Sequence, residues 1–183
     1  MPMIPYIEPP PRGASPAVDA IRARRGGSLL NLDRMLLHSP AFASGWNTFL
    51  GAVRNGLSVR ADWRELAICF IAVLNRADYE LDQHGPEYLA SGGRAEALEA
   101  LRKGQDCLLD PALSGEERTV LLLALAMTRD VEVPPPVIEA ALALTGSHQA
   151  LVELVGVIAA YNMVSRFLVA TGVSMAGEGD GDP

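Results

Sequence analysis

Helix start and stop signals divide most of this chain into helical segments, and they constrain its fold more than any other feature. Ser39 stands before Pro40, a pair typical of a helix N-cap followed by proline at the first helical position. Gly56 is typical of a helix C terminus. Ser114 and Glu117 form an S-x-x-E capping box ahead of the apolar run TVLLLALAM. These signals predict one helix that begins at Pro40 and another that begins after Ser114.

Further boundary signals of the same kind recur along the chain. They are a possible N-cap at Ser58, a helix start at 134–136, a stop at Gly146, an N-cap at Ser147 and a stop at Gly172. No run of alternating apolar and polar residues with a hairpin turn occurs, and Ala and Leu dominate over the β-branched and aromatic residues typical of strands. The sequence therefore predicts an all-α bundle of about six to eight helices.

The two ends of the chain differ in composition from its middle. The first sixteen residues, MPMIPYIEPPPRGASP, are rich in proline, and the last nine, MAGEGDGDP, are acidic and rich in glycine. A length of 183 residues favours one domain, since about 150 residues per domain is typical. We expect an extended arm over 1–16, a single helical domain over 17–174 and a disordered tail over 175–183.

Charge and hydropathy exclude some classes of partner. The formal net charge is -7 and the sequence pI is near 4.9, so the overall field repels phosphate backbones and anionic lipid headgroups. The N terminus lacks a basic stretch followed by an apolar core, and no uninterrupted apolar run approaches the roughly 20 residues of a membrane span. We predict a cytoplasmic protein that binds neither nucleic acid nor membrane.

The two cysteines do not form a CxxC pair. Cys69 lies inside the apolar run LAICFIAVL, and Cys107 lies in GQDCLLD. We interpret Cys69 as a small buried apolar side chain, because a reactive thiol needs exposure and a lowered pKa.

The segment NRADYELDQH contains a candidate acid–base cluster. Glu80 and His84 are four residues apart, so on a helix they share a face, where Glu80 could orient the imidazole of His84. Glu65 can join them only if the chain turns between its helix and the next. Asn75 is a plausible helix end and Asp78 a plausible N-cap, which would provide that turn.

Two other interpretations of this cluster stay open. Glu80 and His84 could be an exposed pair worth a few tenths of a kcal/mol, with Glu65 paired to Arg64 or Arg60 on a solvated helix face. Alternatively, the two glutamates and the histidine could bind zinc or iron, although no HExxH or paired ExxH motif is present.

Over residues 29–172 the sequence resembles the carboxymuconolactone decarboxylase family, which includes the alkylhydroperoxidase D-like proteins. The specific part is RELAI…NRADYELDQH, and YNMVSRFL adds to it. The peroxidase branch of the family has a glutamate, then CxxC, then three residues and a histidine. Aligned on that pattern, the glutamate falls at Glu65 and the histidine at His84, while the cysteine positions hold Ala77 and Glu80.

Because both thiols are missing, the resemblance implies the decarboxylase-like branch and a cofactor-free reaction without metal. It implies loss of carbon dioxide, or a related proton transfer, from a small carboxylated lactone or enone-like acid. In this interpretation His84 is the proton donor and Glu80 its orienting partner, while Glu65 is either a second acid–base group or the holder of a catalytic water. Tyr79, which matches the YEW version of the motif with Leu81 in place of tryptophan, would bind the substrate carbonyl.

The rest of the predicted pocket comes from other segments. Arg166 is the candidate cation for the substrate carboxylate, with Tyr161 close to it in sequence, and Trp46 is a candidate pocket wall. The alternatives are a surface ion pair for Arg166 and a core or interface position for Trp46. The resemblance also implies a homotrimer or homohexamer. Two other functions stay open, an alkylhydroperoxidase-like antioxidant activity and a non-catalytic role in binding small acids or as a scaffold.

Overall fold

Nine α-helices make up most of residues 2–178, the part of the chain that this computed structural model describes, and no strand occurs among them. The helices are α1 (Pro16–Arg24), α2 (Asn31–Leu36), α3 (Pro40–Arg54), α4 (Ala61–Asn75), α5 (Asp78–Ala90), α6 (Ala95–Ala100), α7 (Gly115–Arg129), α8 (Pro135–Thr145) and α9 (His148–Thr171). A 3-10 segment, Leu101–Leu109, follows α6. The predicted all-α class is confirmed, with slightly more helices than the sequence suggested.

Two compact units can be distinguished, and each is described by itself. The first comprises the residues up to Asn55 together with those from Phe167 onward, and the second comprises Gly56–Arg166.

In the first unit, α3 packs against α1 and α2, and the N-terminal arm has no helix before α1. Backbone and side-chain hydrogen bonds hold this arm. Met3 N donates to Thr171 O at 3.2 Å, Arg34 Nε donates to Ile7 O at 3.1 Å, and His38 Nε2 lies 2.7 Å from Pro5 O. The arm is therefore fixed at several points along its length.

Part of the predicted tail also belongs to the first unit. The side chain of Asn31 donates to the carbonyls of Ser174 (2.9 Å) and Ala176 (3.1 Å), and Glu178 accepts from Asn31 N. Residues 175–178 thus form hydrogen-bonded turns, whereas 179–183 lie outside the described residues.

The second unit is built around α4, which packs against α5 and α7. All residues from Trp63 to Leu74 are buried except Arg64 and Val73, as expected for a helix that contacts neighbours on most sides. Its N-cap is Arg60, so the predicted cap at Ser58 is wrong. Ser58 instead donates from both its amide and its hydroxyl to Glu153, at 2.6 and 2.8 Å.

A two-residue corner joins α4 to α5. Arg76 has a left-handed conformation (φ 56°, ψ 42°), and the amides of Arg76 and Ala77 donate back to Val73 O and Ala72 O. These are the 5→2 and 6→1 bonds of a Schellman motif. Asp78 is the first residue of α5 and Ala77 its N-cap, so the predicted helix end at Asn75 is confirmed but the predicted cap at Asp78 is wrong.

Most of the other predicted boundaries are confirmed. The capping box is complete, since Glu117 N donates to Ser114 Oγ at 3.1 Å and Ser114 N donates to Glu117 Oε2 at 2.7 Å. Gly146 ends α8 with φ 73°, and Ser147 Oγ accepts from Ala150 N at the start of α9.

Among the described residues, α9 is long and apolar enough to cross a membrane by length and composition, and half of its most apolar stretch is buried within the protein. Core helices of soluble proteins have these same properties.

Candidate active site

The corner between α4 and α5 brings together two side chains that are nineteen residues apart. His84 Nδ1 lies 2.7 Å from Glu65 Oε2, and only 7% of His84 and 1% of Glu65 are exposed to solvent. A carboxylate at this distance accepts the Nδ1 proton and so fixes the tautomer of the imidazole. Nε2 is then the ring nitrogen that can exchange a proton with a substrate. We call Glu65 and His84 the dyad.

Arg64 also contacts the dyad. Its Nε donates to Glu65 Oε1 at 3.1 Å, so each oxygen of the Glu65 carboxylate has a nitrogen partner. The pair between Arg64 and Glu65 was considered above as part of a solvated face. The structure contradicts that setting, because Glu65 is buried and the Arg64 side chain is only 16% exposed.

Glu80 does not orient His84, so that prediction is wrong. Glu80 Oε2 lies 2.5 Å from Ser165 Oγ of α9, and Glu80 makes no hydrogen bond to His84 in the described part of the chain. Because Glu80 lies four residues before His84 on a helix, a contact between their side chains was possible, but this spacing does not require it. Burial raises the pKa of Glu80 to about 8, and the hydrogen bond that Ser165 can donate to the ionised form offsets only part of this rise. Glu80 is therefore mostly un-ionised at neutral pH.

The two tyrosines predicted for the site are both buried. Tyr161 packs edge-on against the imidazole of His84, with ring centroids 4.9 Å apart, so α9 contributes one wall beside the dyad. Tyr79 lies in the first turn of α5 and is 5% exposed.

Arg166 does not contact the dyad. Its side chain is exposed, and Nη1 donates to the carbonyl oxygen and to Oδ1 of Asn162, at 2.8 and 2.7 Å. Asn162 is in turn held by Asn75 and Thr128. No carboxylate of the described residues pairs with Arg166, so the predicted alternative of a surface ion pair is also wrong.

Trp46 belongs to the first unit. It is 4% exposed and packs against the rings of Phe42 and Phe167, with centroid separations of 5.6 and 5.2 Å. These contacts correspond to the core position that was considered as its alternative role.

Neither cysteine has the surroundings of a reactive thiol. Both are fully buried. Burial and the nearby carboxyl groups of Glu65 and Glu80 hold the pKa of Cys69 far above its usual range, and burial raises the pKa of Cys107 to about 11.

The structure also tests the alternative that Glu65, Glu80 and His84 bind a metal ion. Among residues 2–178, no group of three or more His, Cys, Asp and Glu side chains lies close enough to hold a metal ion. Glu65, Glu80 and His84 thus do not form a ligand set of the kind considered above.

A groove of about 310 Å³ lies on another side of α5. It is lined by Val73, Leu81, Asp82, Gly85, Pro86, Leu89, Leu98 and Arg102. At about 100° per residue, the α5 members of this set are centred roughly 130° around the helix from His84. The groove is therefore separate from the dyad.

Comparison with known proteins gives the fold. No protein-family model and no curated protein matches the chain. An uncharacterized peroxidase-related protein from Silicibacter sp. TM1040 has a TM-score of 0.72 and 20% identity over 94% of both chains. An alkylhydroperoxidase AhpD-core protein from Ralstonia eutropha JMP134 has a TM-score of 0.77 and 18% identity over 94% of this chain and 91% of that one. This chain has the AhpD-like fold.

A third neighbour is the debrominase Bmp8, as a cysteine-to-alanine variant in complex with 2,3,4-tribromopyrrole. Its TM-score is 0.75 at 16% identity, over 96% of this chain and 94% of that one. The fold predicted from the resemblance is thereby confirmed. At such low identity the three likenesses establish the AhpD-like fold and leave the reaction to be argued from the site.

Two groups of this site were missed or misjudged from the sequence. Ser165 gave no signal, because it lies 85 residues after its partner Glu80. Arg64 gave a signal as the neighbour of Glu65, but the pair was interpreted only as a surface feature. Burial of the apolar stretch that follows could have indicated that Glu65 faces inward.

Proposed function

We propose that this protein is a cofactor-free acid–base enzyme that decarboxylates, or transfers a proton within, a small carboxylated lactone or enone-like acid. The buried dyad is the observation that supports this proposal. A histidine that gives Nδ1–H to a buried carboxylate has the arrangement of a general base or acid. The sequence positions that hold thiols in the peroxidase branch hold Ala77 and Glu80 here.

In the proposed reaction, the bond between the substrate carboxylate and its carbon breaks and carbon dioxide leaves. The electron pair moves into the conjugated carbonyl as an enolate. Protonated His84 then gives its Nε2 proton to carbon, and water restores that proton. Glu65 stabilises the imidazolium through Nδ1–H, while burial of the site strengthens this interaction.

Arg64 is the cation that we assign to the substrate carboxylate, in place of the predicted Arg166. Its Nε is used by Glu65, and its two Nη groups donate to no described residue. A guanidinium held in this way can bind a second carboxylate through its outer edge. Arg166 is held by Asn162 and forms no hydrogen bond or ion pair with Glu65 or His84 among the described residues.

An alkylhydroperoxidase-like activity is the alternative that the structural neighbours suggest, since two of them are named peroxidase-related proteins. The buried thiols of Cys69 and Cys107 argue against it. A non-catalytic role in binding small acids would use the same dyad and Arg64. The absence of turnover would distinguish that role from the enzymatic one. Assembly as a homotrimer or homohexamer and a cytoplasmic location are part of the proposal.

The test is an NMR assay in D2O with a panel of carboxylated lactones and unsaturated keto acids. It follows loss of carbon dioxide and entry of deuterium at carbon. We expect His84→Gln to lose about a hundredfold or more of the wild-type rate, as for removal of a general acid. His38→Gln, which removes an exposed histidine of the first unit, is the matched control and should keep the rate.

Equal rates in wild type and His84→Gln would refute the acid–base role. Turnover of a hydroperoxide with a dithiol reductant, abolished by alkylation of the cysteines, would instead support the peroxidase alternative. Binding of panel acids without any turnover would support the non-catalytic role.

A further inference from the structure

Three oxygen atoms of the second unit form a hydrogen-bonded chain whose direction depends on whether Glu80 carries a proton. Ser165 Oγ lies 2.7 Å from the backbone carbonyl oxygen of Tyr161 and 2.5 Å from Glu80 Oε2. A carbonyl oxygen can only accept, and a serine hydroxyl has one proton to give. When Ser165 donates to Tyr161, as serine commonly does to the carbonyl four residues earlier in a helix, it must accept from Glu80.

When Glu80 is un-ionised, this direction sets the position of its proton. The proton lies on Oε2, between Glu80 and Ser165, and Oε1 is the carbonyl oxygen of an un-ionised acid. An ionised carboxylate here would be a buried charge without a cation, since no arginine, lysine or histidine of the described residues pairs with Glu80.

Glu80 Oε1 therefore needs a donor, and the described protein supplies none. This atom is buried, and within residues 2–178 it has no hydrogen-bond partner. Buried carbonyl oxygens are almost always satisfied, by protein or by another molecule.

The unsatisfied oxygen belongs to the same cluster as the dyad. Tyr161, one turn before Ser165 on α9, packs its ring on His84. Cys69, one turn after Glu65 on α4, lies within the electrostatic influence of both Glu65 and Glu80. A molecule bound beside the dyad would thus be close to Glu80.

We propose that Glu80 Oε1 accepts a hydrogen bond from a neutral hydroxyl of the substrate, which is therefore a small acid that also carries an enol, phenol or alcohol group. An ether, a ketone or a carboxylate has no proton to give at this position. The inference rests on the proposed function, because it assigns the donor to the substrate of the same site.

The test is a binding experiment with two nearly isosteric probes, phenol and toluene, which does not depend on turnover. Dissociation constants are measured by NMR titration for wild type, Glu80→Gln and Glu80→Met. Glutamine can donate its amide N–H to Ser165 and keep a carbonyl oxygen in place of Oε1, so it should keep the wild-type preference for phenol. Methionine has no such acceptor, so the ratio of the two constants should shift about tenfold against phenol.

An unchanged ratio in Glu80→Met would overturn the inference. So would failure of both probes to bind wild type at millimolar concentration while the Glu80 carboxyl resonance stays unmoved, because a buried water would then satisfy Oε1. Either result leaves the dyad's role to the turnover assay with His84→Gln, so failure of this inference and failure of the proposed function can be told apart.

Discussion

Replacement of Glu80 by glutamine should change how the stability of the protein depends on pH. Burial raises the pKa of Glu80 from 4.5 to about 8 in the folded protein. Between these values the folded chain holds a proton that the unfolded chain has lost. The contribution of Glu80 to stability is thus greatest below pH 4.5 and falls as pH rises to about 8. Glutamine does not ionise, so the variant lacks this fall.

The size of the effect follows from the two pKa values. Linkage gives a loss of about 2 to 3 kcal/mol in the wild-type free energy of unfolding between pH 5 and pH 7 from this one group. Glu80 is 2% exposed, so solvent does not screen it appreciably. Glu80→Gln keeps a donor toward Ser165, so the two proteins should be similar in stability near pH 5. At pH 7 the variant should be the more stable one.

Urea unfolding at half-unit steps from pH 5 to pH 8 measures this difference. Subtracting the wild-type curve from that of the variant cancels the groups that both proteins share. Ser165→Ala serves as a comparison, because it removes the hydroxyl partner but leaves the ionisable acid, and its stability should still fall across this range. A difference between Glu80→Gln and wild type that stays constant with pH would refute the argument that Glu80 is un-ionised when folded.

Three further predictions concern other parts of the second unit. Gly93→Ala should destabilise the protein by about 1 to 3 kcal/mol, measured by urea unfolding, because its Cβ would meet the buried ring of Tyr88. Arg64→Met should lower kcat/KM for a carboxylated substrate about tenfold to a hundredfold, mostly through KM, if Arg64 binds that carboxylate. Cys69 and Cys107 should react with a disulfide reagent at pH 8 only after unfolding, since burial raises both thiol pKa values.

Controls for these predictions are available in the same chain. Gly115→Ala adds a methyl group in open space, so it should leave stability nearly unchanged and show that Gly93 responds to its contact. Arg102→Met removes an exposed arginine and should leave kcat/KM unchanged. A KM unaffected by Arg64→Met would contradict the carboxylate assignment, and rapid labelling of the folded thiols would contradict their burial.

The helix boundaries were predictable where a local side chain fixes them. Ser114 with Glu117, and Ser147 at the start of α9, satisfy backbone amides within three residues, so the sequence alone contains the whole interaction. The cap predicted at Asp78 was wrong by one residue, because the Schellman corner makes Ala77 the N-cap. The cap predicted at Ser58 was wrong because the competing interaction is not local. Glu153, which lies 95 residues later, takes the Ser58 hydroxyl.

The candidate site shows the same difference between local features, which the sequence predicts, and non-local contacts, which it does not. The sequence could place Glu65 and His84 near each other once a corner at Asn75 was recognised, since the corner is a local feature. It could not show that Glu65 rather than Glu80 would meet the imidazole. The spacing along the chain permits either contact, and the choice depends on how α4 and α9 pack against α5.

The Schellman corner between α4 and α5 limits which changes of chain length this site can survive. One residue inserted between Asn75 and Asp78 would disrupt the two Schellman hydrogen bonds and change how α5 leaves the corner, which would disturb the contacts of His84 with Glu65 and of Glu80 with Ser165 together. A single deletion would disrupt the same hydrogen bonds. Changes of chain length in this protein should therefore be tolerated better outside this corner than within it.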